Sequence, residues 1–180
     1  MSRFRNFLRD DRGTTPIEFV LVFPVVFLVF TTSFEASMFM ARHVMFDRAV
    51  DQTVREIRLG TLRNISHQDL KERICSEGMM VASTEQCVRD MKIWMQPVNT
   101  GNFVMAAPPK SCVDRRQPLN LDEPPANEFA YGTENDIMLV RICLKEDPMF
   151  PTTYLSVGMS PEPDGTYALF VTTTFVNEPG

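Results

Sequence analysis

The chain has no CxxC pair, no cysteine before residue 75, only two histidines, and no second apolar run to set beside the one near its amino terminus. Each absence closes off a class of protein. The four cysteines, Cys75, Cys87, Cys112 and Cys143, lie 12, 25 and 31 positions apart, which makes a poor zinc site because structural zinc is held by closely spaced ligand pairs. No nucleophile motif such as GxSxG accompanies His43 or His67, so no catalytic residue is expected and both histidines are assigned to helix capping or solvent exposure. No metal or cofactor site can be assembled either. One apolar run limits the chain to one membrane crossing. The 18 Lys and Arg residues are outnumbered by 23 Asp and Glu, which argues against nucleic acid as a partner. Trp94 and the methionines Met79, Met80, Met91 and Met95 read as packing residues, since methionine fills irregular gaps in a core. There is no internal repeat.

What is present begins with that apolar run. Phe19 to Phe30 is uninterrupted, and the segment continues through Thr31, Thr32, Ser33 and Phe34 to Glu35 and on to Ala41. A bilayer core of about 30 Å needs about 20 mainly apolar helical residues, so Phe19 to Ala41 spans if Glu35 reaches the interface. Residues 1–13 carry Arg3, Arg5, Arg9 and Arg12 against Asp10 and Asp11, a formal +2, whereas residues 14–180 hold 14 basic and 21 acidic residues, or −7. Cytoplasmic flanks are the basic ones, so the amino terminus is expected in the cytoplasm and the acidic remainder on the exported side. All four cysteines lie beyond the span, in the oxidising compartment where an even number reads as two disulfides with three possible pairings.

The helix does not end with the span. No proline or glycine interrupts the sequence after Ala41 until Gly60, and Phe46, Val50, Val54 and Ile57 recur at helical spacing. One helix from Thr15 to Leu59 would be about 65 Å long at 1.5 Å per residue, less than half of it inside a bilayer core. Its projecting part needs a surface for its apolar stripe. Two shorter helices follow: one capped by Ser66, with Leu70 and Ile74 inside and Gly78 as its stop, and one opened by Ser83 and Gln86 ahead of Cys87, Val88 and Met91. A turn between them brings Cys75 to Cys87, which leaves Cys112 for Cys143. Residues 96–135 are proline-rich and aperiodic and are expected as a surface excursion. Ile137–Lys145 and Tyr167–Val176 read as an antiparallel strand pair, with the Asp164-Gly165 turn before the second. The fold class is therefore α+β: a transmembrane helix over 14–41, its continuation over 42–63, and an exported head over 64–180.

Three readings of the opening compete. A secretory signal peptide needs small residues at a cleavage site, imitated weakly by Thr31, Thr32, Ser33, Ala36 and Ser37. An ordinary signal anchor needs only the basic flank and the span. Neither gives Glu18 a reason. Gly13 followed by four residues and Glu18, behind a short basic leader, resembles the substrate signature of type IV prepilin peptidases, which cut after the glycine on the cytoplasmic side. The order Gly13, Thr14, Thr15, Pro16, Ile17, Glu18, Phe19, with Pro24 inside "FVLVFPVVFLVF" and the ending "FVNEPG", is similar to the TadE and TadG pseudopilins of tight-adherence (Tad, or Flp) pilus systems.

The resemblance implies a pilin-like protein of the bacterial inner membrane, amino terminus cytoplasmic and head periplasmic, processed at Gly13 and Thr14. Glu18 would become residue five of the mature chain and pair with a neighbour's amino terminus, relieving two buried charges together. The implied partners are the bilayer, the prepilin peptidase, other pilins or pseudopilins and the Tad assembly platform. The role would be assembly or anchoring of an adhesive pilus. The competing reading is a bitopic envelope-binding module in which Gly13 and Glu18 are coincidental.

Overall fold

The structure is a computed structural model that describes residues 14–62, 65–78, 83–102, 107–116, 124, 128–151, 153, 156, 158 and 162–178. Helix α1 runs from Thr14 to Arg58, 45 residues without a break through Pro24, and so about 67 Å at 1.5 Å per residue. It stops short of residue 63 for a local reason. Gly60, at φ 70°, takes the left-handed conformation that lets its own N–H reach the Ile57 carbonyl and the Thr61 N–H reach Glu56, closing the last turn in a Schellman motif. Arg55 and Arg58 in that turn face the negative end of the helix dipole.

Helix α2 (His67–Glu77) is capped by Ser66, whose hydroxyl accepts from the Asp69 N–H at 3.0 Å, and ends at Gly78. Helix α3 (Thr84–Asp90) opens with the Ser83 hydroxyl accepting from the Gln86 N–H at 3.2 Å. The Cys75–Cys87 disulfide ties the two together.

The sheet has three strands, one more than the sequence suggested. β1 (Met91–Pro97), β2 (Ile137–Glu146) and β3 (Tyr167–Val176) lie in the order β1-β2-β3 and pair antiparallel, Met91 opposite Leu144 and Ile137 opposite Val176. Val88 and Met91 at helical spacing suggested a helix continuing past Asp90. Instead the alternation of buried Met91, Ile93 and Met95 with Lys92 and Gln96 makes the segment a strand, so Met91 belongs to β1 and the aperiodic stretch starts only after Pro97. Pro97 is tolerated because it closes an edge strand. The 96–135 excursion is not wholly irregular either: Phe129 bridges to Met95 in parallel, with the Met95 N–H donating to the Glu128 carbonyl at 2.8 Å and the Ala130 N–H to the Met95 carbonyl at 2.9 Å. Cys112 is joined to Cys143 in β2.

One face of the sheet packs on the helices. Phe46, Ala49, Val50 and Ile57 of α1, Leu70 and Ile74 of α2, and Val88 of α3 meet Ile93, Met95, Val140, Ile142, Leu144, Leu169, Val171 and Phe175 in one core, with Val54 partly buried beside it. The projecting half of α1 thus finds its surface within the same chain. The residues just after β3 are tied in as well. The Asn177 side-chain amide donates to the Gly132 and Thr133 carbonyls, its backbone pairs with Asn135 and Asp136, and Glu178 meets Arg58 at 3.0 Å.

Candidate assembly helix and its junction with the head

Helix α1 divides sharply by exposure. Residues 16–30 are all exposed, and among the described residues α1 is the one helix long and apolar enough to cross a membrane. Burial begins at Thr31, 4% exposed, and continues at Glu35, 2% exposed. From there the head-facing stripe is Thr31, Glu35, Phe39, Arg42, Phe46, Ala49 or Val50, Thr53 and Ile57, a step of three or four residues each time. Its first half is largely polar and its second half largely apolar.

Of the residues singled out for processing, Gly13 lies outside the described residues and Thr14 begins α1. Glu18 is exposed on the bare helix and has no partner among the described residues. Phe19 is exposed too, its ring stacked on Phe23 at 5.1 Å, and Phe23 continues the row to Phe27 at 5.7 Å. Pro16 occupies the first turn, where its missing N–H leaves no bond unmade.

Glu35 has partners within the chain: its carboxylate turns into the head and accepts from the backbone N–H of Met149 at 3.2 Å and of Phe150 at 3.0 Å. These are amides of the turn that follows β2, with no other acceptor among the described residues, and a carboxylate taken from water is held there by charge-assisted bonds. Phe34 packs edge-on against Phe150 at 6.1 Å between centroids, and Phe39 against Tyr167 at 5.2 Å. Burial and the neighbouring Glu35 carboxylate together push the Tyr167 hydroxyl up to about 12. Two α-turns past Glu35, a second polar layer closes the junction. Arg42 donates to Glu146 at 3.3 Å and to the Asp147 carbonyl at 3.1 Å, and Arg115 makes a forked pair with Asp90 at 2.9 and 2.7 Å and reaches Asp147 at 2.8 Å. Burial raises the Glu146 carboxyl even though Arg42 pulls it down.

The histidines do not come together. His43 lies on α1 beside Phe39, and His67 begins α2 with its ring edge-on to Phe129 at 5.0 Å. His67 is half-buried rather than a solvent-exposed cap: the cap is Ser66, and burial with nearby Lys71 pushes the imidazole down to about 4. Burial and Lys92 likewise bring Lys71 down to about 8. Among the described residues no group of three or more His, Cys, Asp or Glu side chains is placed to hold a metal ion. Trp94, Met91 and Met95 are buried, while Met79 and Met80 lie outside the described residues.

A family match falls on this helix: residues 13–55 fit the model of the TadE-like protein family, so this segment is similar to that family. The TadE-like match begins at Gly13, covers the bare helix with Glu18, and extends through Glu35 and Arg42 to the packed stripe, but does not include the head's helices and sheet. No curated protein and no solved structure matches the chain. The partners of the junction residue Glu35 lie more than 100 positions away in the sequence. Its signal was present in the spacing, since Thr31, Glu35 and Arg42 continue toward the amino terminus the stripe that Phe46, Val50 and Ile57 define.

Proposed function

We propose that the protein is a TadE-like minor pseudopilin, inserted once in the bacterial inner membrane with its head in the periplasm, cut between Gly13 and Thr14 by a prepilin peptidase, and working in the assembly or anchoring of a Tad/Flp adhesive pilus. The observation that carries this reading is the TadE-like match over residues 13–55, which starts at the glycine and takes in a bare apolar helix bearing an unpaired Glu18. A helix of this kind has its side-chain surface available for other helices in the membrane, while its second half is engaged along one stripe by its own head. Helices that meet in lipid gain nothing from hydrophobic exclusion and associate through packing and polar contacts, so an exposed carboxylate is a strong determinant of which neighbour fits. In this reading Glu18 meets the amino group that cleavage creates on a neighbouring subunit.

The test is co-expression with an active prepilin peptidase and mass spectrometry of the mature amino terminus. A chain beginning at Thr14 is expected, with Gly13→Ala unprocessed. Recovery of a chain beginning at Met1 would sink the processing step. If Gly13→Ala and Glu18→Ala variants assemble pili as the unsubstituted chain does, the envelope-binding module takes the place of the pseudopilin.

A further inference from the structure

We propose that the turn after β2, Met149–Pro151, is a membrane-contact foot that rests in the interfacial layer of the bilayer and is held at that height by Glu35. The proposal builds on the membrane-spanning part of the reading above and is independent of cleavage and of pili.

The height follows from counting. A hydrocarbon core of about 30 Å takes about 20 helical residues at 1.5 Å each. Counted from Thr14, the first residue past the charged leader, such a stretch ends at Ser33; counted from Glu18, the first ionisable residue of the helix, it ends at Ser37. Both limits bracket Phe34 and Glu35, one turn past Thr31, where burial begins. The exposed run from Pro16 to Phe30 is about 22 Å long and by itself falls short of the core. Hydrocarbon must therefore reach the level of Phe34, and whatever the head presents there lies at the lipid boundary.

What it presents is apolar. Phe30 stacks on Phe34 at 6.2 Å and Phe34 meets Phe150 at 6.1 Å, so a row of rings passes from the bare helix onto the head without interruption. Met149 is 46% exposed beside Phe150, and Pro151 is exposed. A large exposed methionine next to an aromatic ring at a soluble surface has no partner, but at a headgroup boundary it continues the apolar surface of the span. The polar layer of Arg42, Glu146, Asp147 and Arg115 begins beyond it. Arg42 lies seven residues past Glu35 and so about 10 Å further along the axis, at headgroup depth. The order of apolar rings, then Glu35, then charge follows the polarity gradient of an interface.

Glu35 sets the geometry. With its two oxygens taken by the amides of Met149 and Phe150, the foot is fixed to the helix at the residue that the count places at the boundary, so the head has one height above the membrane.

Depth-dependent quenching tests this on the full chain reconstituted in phosphatidylcholine vesicles. Trp94, the sole tryptophan, is buried in the head and sets the baseline. A Met149→Trp variant is expected to show an added blue-shifted emission that lipids brominated near the headgroup quench more than lipids brominated near the chain end. A Phe23→Trp variant, near the middle of the span, reports insertion and should show the opposite order. Loss of quenching at 149 with Phe23→Trp still quenched overturns the foot and leaves the membrane reading standing; loss at both overturns the two together. A blue-shifted but unquenched Trp at 149 means that protein, another copy or a partner, covers the turn, and that too overturns the assignment to lipid.

Discussion

Replacing Glu35 by alanine removes the only described acceptor for two backbone amides, those of Met149 and Phe150, at a position 2% exposed. A buried donor left without a partner costs about 1–3 kcal/mol, and here two are orphaned together while the energetic burden of burying a carboxylate disappears. The net expectation is a local loss of about 2–4 kcal/mol for Glu35→Ala, by the same per-donor cost. Glu35→Gln keeps one acceptor oxygen but turns an NH2 toward the second amide, so about half of that loss is expected, roughly 1–2 kcal/mol. Because 1.4 kcal/mol is a factor of ten, the opening that exposes these amides becomes about 30-fold to about 1000-fold more frequent in Glu35→Ala. Hydrogen exchange of the full chain in detergent, read on peptides covering 147–151, measures that opening directly. Faster exchange confined to this turn supports the assignment of Glu35 as its anchor. Wild-type exchange at Met149 and Phe150 in the alanine variant would refute it, and so would a uniform rise across β2, which would mean that the head as a whole had been destabilised.

Three further outcomes follow from the same structure. Serine in place of both Cys112 and Cys143, 31 positions apart, is expected to cost about 4 kcal/mol on the loop-entropy scale, and serine at Cys75 and Cys87, 12 apart, about 3 kcal/mol; denaturant titration of the full chain in detergent checks the order. His67 falls from 6.5 to about 4 on folding, chiefly through burial, so the unfolded chain binds more protons between those values. Its contribution to stability is complete above pH 6.5 and is lost as pH falls toward 4, about 2 kcal/mol after allowing for its partial exposure, and a His67→Phe variant should flatten a melting series across that window. Phe46, 5% exposed between α1 and the sheet, should cost about 3–5 kcal/mol on truncation to alanine, and thermal melts in detergent would show it as loss of the head's cooperative transition.

Much of the architecture was legible because it is written in local periods. Phe46, Val50 and Ile57 at helical spacing are core residues, Ser66 and Ser83 cap the helices they were expected to cap, and Ile137 and Tyr167 begin the two long strands. β1 was hidden because Val88 and Met91 continue a helical spacing from α3 into a strand with no glycine or proline between them, and only pairing with β2 decides the conformation of Met91. Such overrides are expected where a central strand offers an edge, since strand preference depends on neighbours more than on the chain itself. The short bridge of Phe129 to Met95 was hidden for the same reason, being a long-range contact inside a proline-rich stretch.

Two of the glutamates of α1, Glu18 and Glu35, show where local reading stops. Both stand on a membrane-grade helix, and both look like tolerated charges at its margins when only composition and spacing are considered. Folding separates them. Glu35 lies on the stripe that points into the head, and the chain itself supplies its donors from residues 114 and 115 positions away. Glu18 lies on the stretch that the head never reaches, exposed among Ile17, Phe19, Val20 and Leu21, and the described part of the chain supplies it with nothing. In water that would be an ordinary surface carboxylate; in lipid it is a charge whose cost stays uncompensated until a donor arrives. Among the described residues the head engages α1 only from Thr31 onward, so it offers Glu18 no donor. One glutamate is satisfied inside the chain, and the other stands on the part of the helix that the described head leaves bare.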